Sequence, residues 1–278
     1  MTKITYRNEL GAVTFGEAPI NILKIDGLML PKKQYSTFLY SDGSGQTTCG
    51  EATLARNITL TADIYLKNRS QELSKMLRIL NKKGVLEITN GYRKRKIDAY
   101  LSTFVLNERH GKYQCFTLQF VCDYPYFSDF RKREAGIFVR EDLVENEFTL
   151  PAVFTRRSGK MTVELGGEMP CEPIVRLSCR KDYEGTGEGI KLINHTNGNF
   201  FILNYSMSEG EEITIDFRER TVTNAPGDSL INYISEDTFL SEFKLEPGEN
   251  EIEVINGENA EVIAAVMEYK NIYAEAAI

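Results

Sequence analysis

Only one stretch of this chain repeats its apolar residues at helical spacing. Between Ser70 and Lys83, residues Leu73, Met76, Leu77 and Leu80 fall at i, i+3, i+4 and i+7 and form one stripe. Elsewhere apolar residues alternate with polar ones, or come in short runs between turn signals, which is the pattern of strands that bury one face. Ile4-Thr5-Tyr6 and Val13-Thr14-Phe15 flank a polar turn ending at Gly11, and the run from Ile20 to Ile25 stops at Asp26-Gly27. The stretch from Tyr113 to Cys122 sets Phe116, Leu118, Phe120 and Cys122 on one face. It ends at Asp123-Tyr124-Pro125, because proline cannot donate to a ladder. This pattern predicts a mainly β protein with one amphipathic helix laid on a sheet.

The second half reads as short strands: 161–165, 174–179, 190–194, 200–205, 213–217, 221–223, 239–245, 251–255 and 262–269. Turn signals at Gly166-Gly167, Asn197-Gly198, Pro226-Gly227, Pro247-Gly248 and Asn256-Gly257 separate them at the cadence of a β-sandwich. A chain of 278 residues has room for two cores. The charged, less periodic stretch 130–146 marks the boundary. The expected organisation is an N-terminal β domain over 1–140 and a C-terminal sandwich over 141–278.

The halves differ in charge. Residues 1–140 carry 22 Lys and Arg against 13 Asp and Glu, whereas 141–278 carry 11 against 27, so a half of +9 is joined to one of −16. The densest cationic run, Arg93-Lys94-Arg95-Lys96 beside Tyr92, is the segment that most resembles a nucleic-acid patch. Charges that guard the tip and edge of a hairpin give the same string.

Catalytic chemistry finds little to work with. His110 and His195 are the two histidines, each in a turn-like context, and Trp is absent. A multi-histidine metal centre and a tryptophan platform for sugars are thereby excluded. Glu211, Glu212, Asp216 and Glu219 suit a solvated sandwich face better than a glycosidase pair. The loop Gly185-Thr186-Gly187-Glu188-Gly189 lacks the third glycine and the following helix of a dinucleotide fingerprint. Cys49, Cys115, Cys122, Cys171 and Cys179 are odd in number and have no Cys-x-x-Cys spacing, so they read as reduced, mostly buried thiols. No run approaches the roughly 20 apolar residues of a membrane span, and the N-terminus lacks a signal peptide's apolar core. No enzyme activity, cofactor, metal site or membrane span is expected, and the chain is expected to stay in the cytoplasm after synthesis.

One polar stretch, Ser41 to Gly50, is rich in flexible residues and reads as a loop or an arm. Taken in order, the landmarks resemble the distal tail protein family of long-tailed bacteriophages and prophages. The resemblance runs through Ile22-Leu23-Lys24-Ile25-Asp26-Gly27, the strand from Leu54 to Leu60, the single helix, and the ending from Phe116 to Phe127. It continues in Gly166 to Ile174, Ile213-Thr214-Ile215-Asp216 with Thr221-Val222, and Leu245-Glu246-Pro247-Gly248-Glu249-Asn250-Glu251-Ile252.

The resemblance implies six copies closed into a ring by their first domains, each with an extended arm, and a galectin-like or jelly-roll sandwich as the second domain. Such a ring is a hub joining the tail tube to the baseplate or tail-tip apparatus, assembled in the bacterial host cytoplasm and carried in the virion. Its partners would be copies of itself, the tail tube protein and tail-tip proteins, with at most transient contact to DNA. On this reading Ser41, Asp42, Gly43, Ser44, Gly45 and Gln46 belong to an assembly arm, and the basic first half, with Arg93, Lys94, Arg95 and Lys96 as its basic patch, faces an acidic partner or DNA. A rival reading is an adhesin that binds host cell-wall saccharide through its sandwich, with Tyr183, Phe200, Phe201 and Tyr205 as stacking aromatics.

Overall fold

The computed structural model describes residues 2–65, 69–137, 139–142, 155–185, 189–255 and 262–276. Parts of the glycine-rich loop (186–188), of the expected boundary stretch (138 and 143–146) and the turn Asn256-Gly257 lie outside the described residues. Two compact units emerge, one of Met1–Phe130 with Ile272–Ile278 and one of Arg131–Asn271.

Unit 1 holds β1 (Thr2–Asn8), β2 (Gly11–Phe15), β3 (Ile20–Asp26), β4 (Lys33–Leu39), β5 (Gln46–Thr53), β6 (Arg56–Tyr65), α1 (Arg69–Leu80), β7 (Gly84–Asn90), β8 (Arg93–His110), β9 (Tyr113–Cys122) and β10 (Phe127–Ser128). Its main sheet runs in the order β2-β1-β7-β8-β9-β6-β3. Register stacks the core across the ladders: Ile58, Leu60 and Ala62 face Phe120, Leu118 and Phe116, and Ile4 and Tyr6 face Ile88 and Leu86. All of these side chains are buried, which is why the period-two pattern was so regular. The Tyr6 ring stacks on Phe120 at 5.3 Å, and its hydroxyl donates to the carbonyls of Ala99, at 3.2 Å, and Lys82.

Helix α1 packs on β1 and β2 through Leu73, Met76, Ile79 and Leu80. Leu77, part of the stripe expected from spacing, is 40% exposed, and Ile79 takes its place. The helix lies on its Leu73–Met76–Leu80 ridge, and 100° per residue puts Leu77 and Ile79 on opposite flanks of that ridge. The Ile79 flank turns toward Gly11 of β2.

Unit 2 holds β11 (Arg133–Gly136), β12 (Val139–Asp142), β13 (Thr155–Ser158), β14 (Lys160–Leu165), β15 (Ile174–Cys179), β16 (Ile190–Asn194), β17 (Asn199–Leu203), β18 (Glu212–Asp216), β19 (Thr221–Asn224), β20 (Gly248–Ile255) and β21 (Ile263–Tyr269). Antiparallel pairing gives two larger sheets, β11-β21-β15-β18-β19 and β14-β20-β16-β17, and the hairpin β12-β13. The larger sheets meet as a sandwich at Phe201, whose ring lies edge-on to Phe217 at 5.4 Å, with Phe243 stacked on Phe217 at 4.6 Å. The stretch 239–245, expected as a strand, is irregular and joins the rest through a bridge from Leu245 to Cys171. It still buries Leu240, Phe243 and Leu245, so its apolar content reported burial and not an extended backbone.

Glu268 of β21 is buried among its own partners. Arg176 Nη2 donates to it at 3.1 Å, and Lys132 Nζ pairs with its other oxygen. Burial pushes the carboxyl up, but Lys132 and Arg176 together outweigh that and hold it below the usual carboxylate value. A folded value below the unfolded one stabilises fully above the unfolded pKa, and this contribution is lost as pH falls through the folded one. Glu268→Gln is therefore expected to cost unit 2 about 1–2 kcal/mol at pH 7 and to flatten the fall in stability below about pH 5. Urea melts of both proteins from pH 3 to 7 check this, and parallel curves would exclude a role for Glu268.

The division between units falls before the expected boundary at 140, and the last residues do not stay with the second domain. Strand β22 (Ile272–Tyr273) pairs with β10, Phe127 opposite Tyr273 and Ser128 opposite Ile272, so the chain returns to unit 1. A two-residue strand carries no periodicity, and nothing in composition marks the return. By these bounds unit 1 holds 18 Lys and Arg against 13 Asp and Glu, and unit 2 holds 15 against 27, so the charge contrast persists as +5 against −12.

Candidate assembly surfaces

Strands β4 and β5 form a two-stranded sheet of their own. Every residue of β4 is exposed, and so is β5 up to a half-buried Thr53. Ser41 to Gly45 make the tip, closed by Tyr40 N donating to Gly45 O and Gly43 N to Tyr40 O, each at 3.0 Å. Asp42 Oδ1 accepts from Ser44 N at 2.9 Å and Ser44 Oγ at 2.7 Å, which holds its carboxyl below the usual range. The polar stretch is thus the tip and second strand of a hairpin, with Gln46 opening β5. The large side chains that sequence reading passed over sit beside it: Phe38 is 69% exposed, Leu39 80% and Leu30 75%, with Tyr35 and Tyr40 also exposed. An apolar cluster abutting a flexible stretch was the available signal. A lone hairpin is marginally stable in water, and exposed apolar side chains gathered on it make it a candidate contact surface.

The four basic residues do not form one patch. The β7–β8 turn is Gly91-Tyr92 alone, and Asn90 pairs with Arg93, so the run lies inside β8. Arg93 and Lys94 are exposed at the end of the hairpin, and further along the strand alternation turns Arg95 inward with Ile97 and Ala99. Arg95 lies over the Tyr273 ring at 3.7 Å and donates to both the main-chain and the carboxylate oxygen of Glu275. Lys96 Nζ stands 5.6 Å from the Phe130 ring centroid. Arg95 is therefore a structural cation, and the outward charge at this hairpin is Arg93 and Lys94 beside a fully exposed Tyr92.

In unit 2, Tyr183 and Phe201 are buried. Phe200 is partly exposed under Lys191 Nζ, which lies 5.0 Å from its ring centroid. Tyr205 packs edge-on against Tyr233 at 4.9 Å and donates to Glu211 at 2.9 Å. His195 Nε2 meets Glu253 Oε2 at 2.7 Å at the surface, and His110 ends β8, also exposed. Among the described residues, no three His, Cys, Asp or Glu side chains gather in a way that could hold a metal ion, and no helix is long and apolar enough to cross a membrane. All five cysteines are free. Cys122, Cys171 and Cys179 are buried, Cys115 is half-buried, and Cys49 is exposed on β5.

Residues 166–273 match the family model of the siphovirus-type tail component, C-terminal domain. That match spans most of the second half of the chain. The matched range contains the stretches Gly166 to Ile174 and Leu245 to Ile252 that carried the resemblance in the sequence. The chain's whole fold is similar to the crystal structure of phage SPP1 Dit (gp 19.1), described as a paradigm of the hub adsorption apparatus in phages infecting Gram-positive hosts. That likeness has a TM-score of 0.69 at 9% identity and covers 98% of this chain and 99% of that one. It is also similar to a chain of the phage P2 baseplate in its activated conformation with Ca, at TM-score 0.52 and 11% identity over 97% of each chain. The corresponding structure with Sr gives 0.53 and 11% over 98% of each. No curated protein matches the sequence. The chain thus has a Dit-like fold over nearly its whole length.

Proposed function

We propose that this protein is a structural tail hub, without enzymatic activity, whose copies close into a ring of six between the tail tube and the baseplate or tail-tip apparatus of a phage. The observation that carries the reading is the β4–β5 hairpin: an arm with no core of its own that presents Phe38, Leu39 and Tyr40 to solvent. In a cyclic ring the contact is heterologous, so the arm of one copy meets a different face of the next. Unit 1 forms the ring, the second unit is a galectin-like sandwich, and the tail tube and tail-tip proteins are the ring's partners. DNA contact is at most transient, and the ring, built in the host cytoplasm, ends in the virion.

The test is mass by light scattering across a concentration series, with negative-stain images of the same samples. The full chain is expected to form rings of about six copies. Phe38→Ser with Leu39→Ser, both at exposed positions, is expected to weaken each contact by on the order of 100-fold, since burying each side chain is worth about 1.5–3 kcal/mol. A full chain that stays monomeric throughout, or a double variant that assembles unchanged, would overturn the reading.

A further inference from the structure

The arm leaves unit 1 through Gly27, Leu28 and Met29, and the C-terminal end of the chain is bonded to that root. Ala276 N donates to Leu28 O at 2.9 Å. Arg56 reaches the same place from β6: Nη1 donates to Gly27 O at 2.8 Å and to Met29 O, Nη2 to Ala274 O at 2.6 Å, and Nε to Pro125 O at 2.6 Å. Its guanidinium lies 4.6 Å from the centre of the Phe127 ring, and Arg95 holds the same return segment through Tyr273 and Glu275. A planar fork fixes direction as well as distance, so its bonded carbonyls cannot rotate independently. On the arm side, the bonds near the root are Leu54 N to Lys32 O at 2.9 Å and Tyr126 Oη to Thr53 Oγ1 at 3.4 Å. Neither reaches the hairpin beyond its base.

We propose that residues 272–276 are a clamp seated against Leu28 and Arg56 that sets the direction in which the arm leaves unit 1. Asn271 is the last residue of unit 2, and the clamp begins at the next residue, Ile272. The inference rests on the arm reading above only for its consequence in assembly, since the clamp itself is a property of one chain.

The experiment measures the arm's direction in dilute, monomeric protein by dipolar spectroscopy. One spin label sits on the native, exposed Cys49 of β5 and the other on Lys75→Cys at the exposed face of α1, in a Cys115→Ser background. The full chain is expected to give one narrow distance distribution. A chain ending at Asn271 is expected to broaden it at least twofold, and a synthetic peptide of residues 271–278 to narrow it again. Protection of buried Cys122 from alkylation reports whether unit 1 is folded. If truncation unfolds unit 1, Ala276→Pro, which removes the single N–H donated to Leu28, is measured instead. An unchanged distribution in a folded variant overturns the proposal. Light scattering keeps the two ideas apart: a broadened arm with rings intact would overturn the arm's role in assembly and leave the clamp standing, whereas lost rings with an unchanged arm would do the reverse.

Discussion

Arg56→Met is expected to cost unit 1 about 4 kcal/mol, a large part of the roughly 5–15 kcal/mol that holds a typical domain together. The residue is 2% exposed, and two opposing effects must be weighed. Burial pulls the guanidinium down to about 10, still well above neutral pH, so the buried group carries its charge. Methionine relieves that desolvation. Against this stand four bonds from a cation to the carbonyls of Gly27, Met29, Pro125 and Ala274. Removing the charged partner of such a buried set costs about 3–5 kcal/mol net of that relief, because the carbonyls are left dry. The bonds win.

Lysine at the same position keeps the charge but has one nitrogen, which cannot span these carbonyls as the fork does, so Arg56→Lys is expected to lose about half as much. Cys122 is a unit-specific reporter, because its thiol is fully buried, pushed up to about 12 by burial, and lies in unit 1. Its alkylation midpoint in urea should fall in both variants while that of Cys171 in unit 2 stays put. An unchanged Cys122 midpoint in the methionine variant would show that the carbonyls find other partners.

The parity of Arg56 was on view in the sequence. It is in phase with Ile58, Leu60, Ala62 and Ile64, so the alternation that identifies the strand also assigns this cation to the core face. Arg95 is likewise in phase with Ile97 and Ala99, and reading its charge ahead of its parity made it part of a surface patch. Burial in β9 follows the sequence residue by residue, since one face must enter the core. The arm strands gave no such signal because neither of their faces enters a core. With no burial to enforce alternation, Lys33–Leu39 reads as irregular although its backbone is a regular strand. The return of Ile272–Tyr273 was hidden for another reason: its partners, Phe127 and Ser128, lie more than a hundred residues away, and short-range patterns hold no trace of such a pairing.

In unit 2 the sequence feature Leu245-Glu246-Pro247-Gly248-Glu249-Asn250 has a physical meaning that makes Asn250→Ala costly. Asn250 is fully buried and folds back on its own turn. Its Oδ1 accepts from Glu246 N at 2.8 Å, and its Nδ2 donates to Glu246 O at 2.7 Å and Gly248 O at 3.1 Å. The turn closes at Gly248, whose φ of +97° lies in the region that favours glycine. Asn194, equally buried, donates to Asn250 Oδ1 at 3.0 Å and to Lys244 O at 2.9 Å, and accepts from Thr196 N at 3.0 Å. Such a network is strong only while complete. Alanine at 250 strands one N–H and two carbonyls of the turn and one Asn194 donor, at about 1–3 kcal/mol each where water does not reach. Because Gly248 is exposed and water can replace part of this, the expected loss is about 3 kcal/mol.

Asp at 250 preserves the acceptors but sets a carboxylate against two carbonyl oxygens, so Asn250→Asp is expected to do no better at neutral pH. The double variant Asn194→Ala with Asn250→Ala should cost less than the two single losses together, because either one breaks the shared bond. Cys171 reads the outcome: its backbone N–H and carbonyl pair with Leu245 at 2.9 and 2.8 Å, and burial pushes its thiol up to about 11. Its alkylation midpoint should fall while that of Cys122 holds. A Cys171 midpoint within about 0.5 kcal/mol of the parent, the range of an ordinary surface substitution, would mean that the turn is fixed by Pro247 and Gly248 without the asparagine.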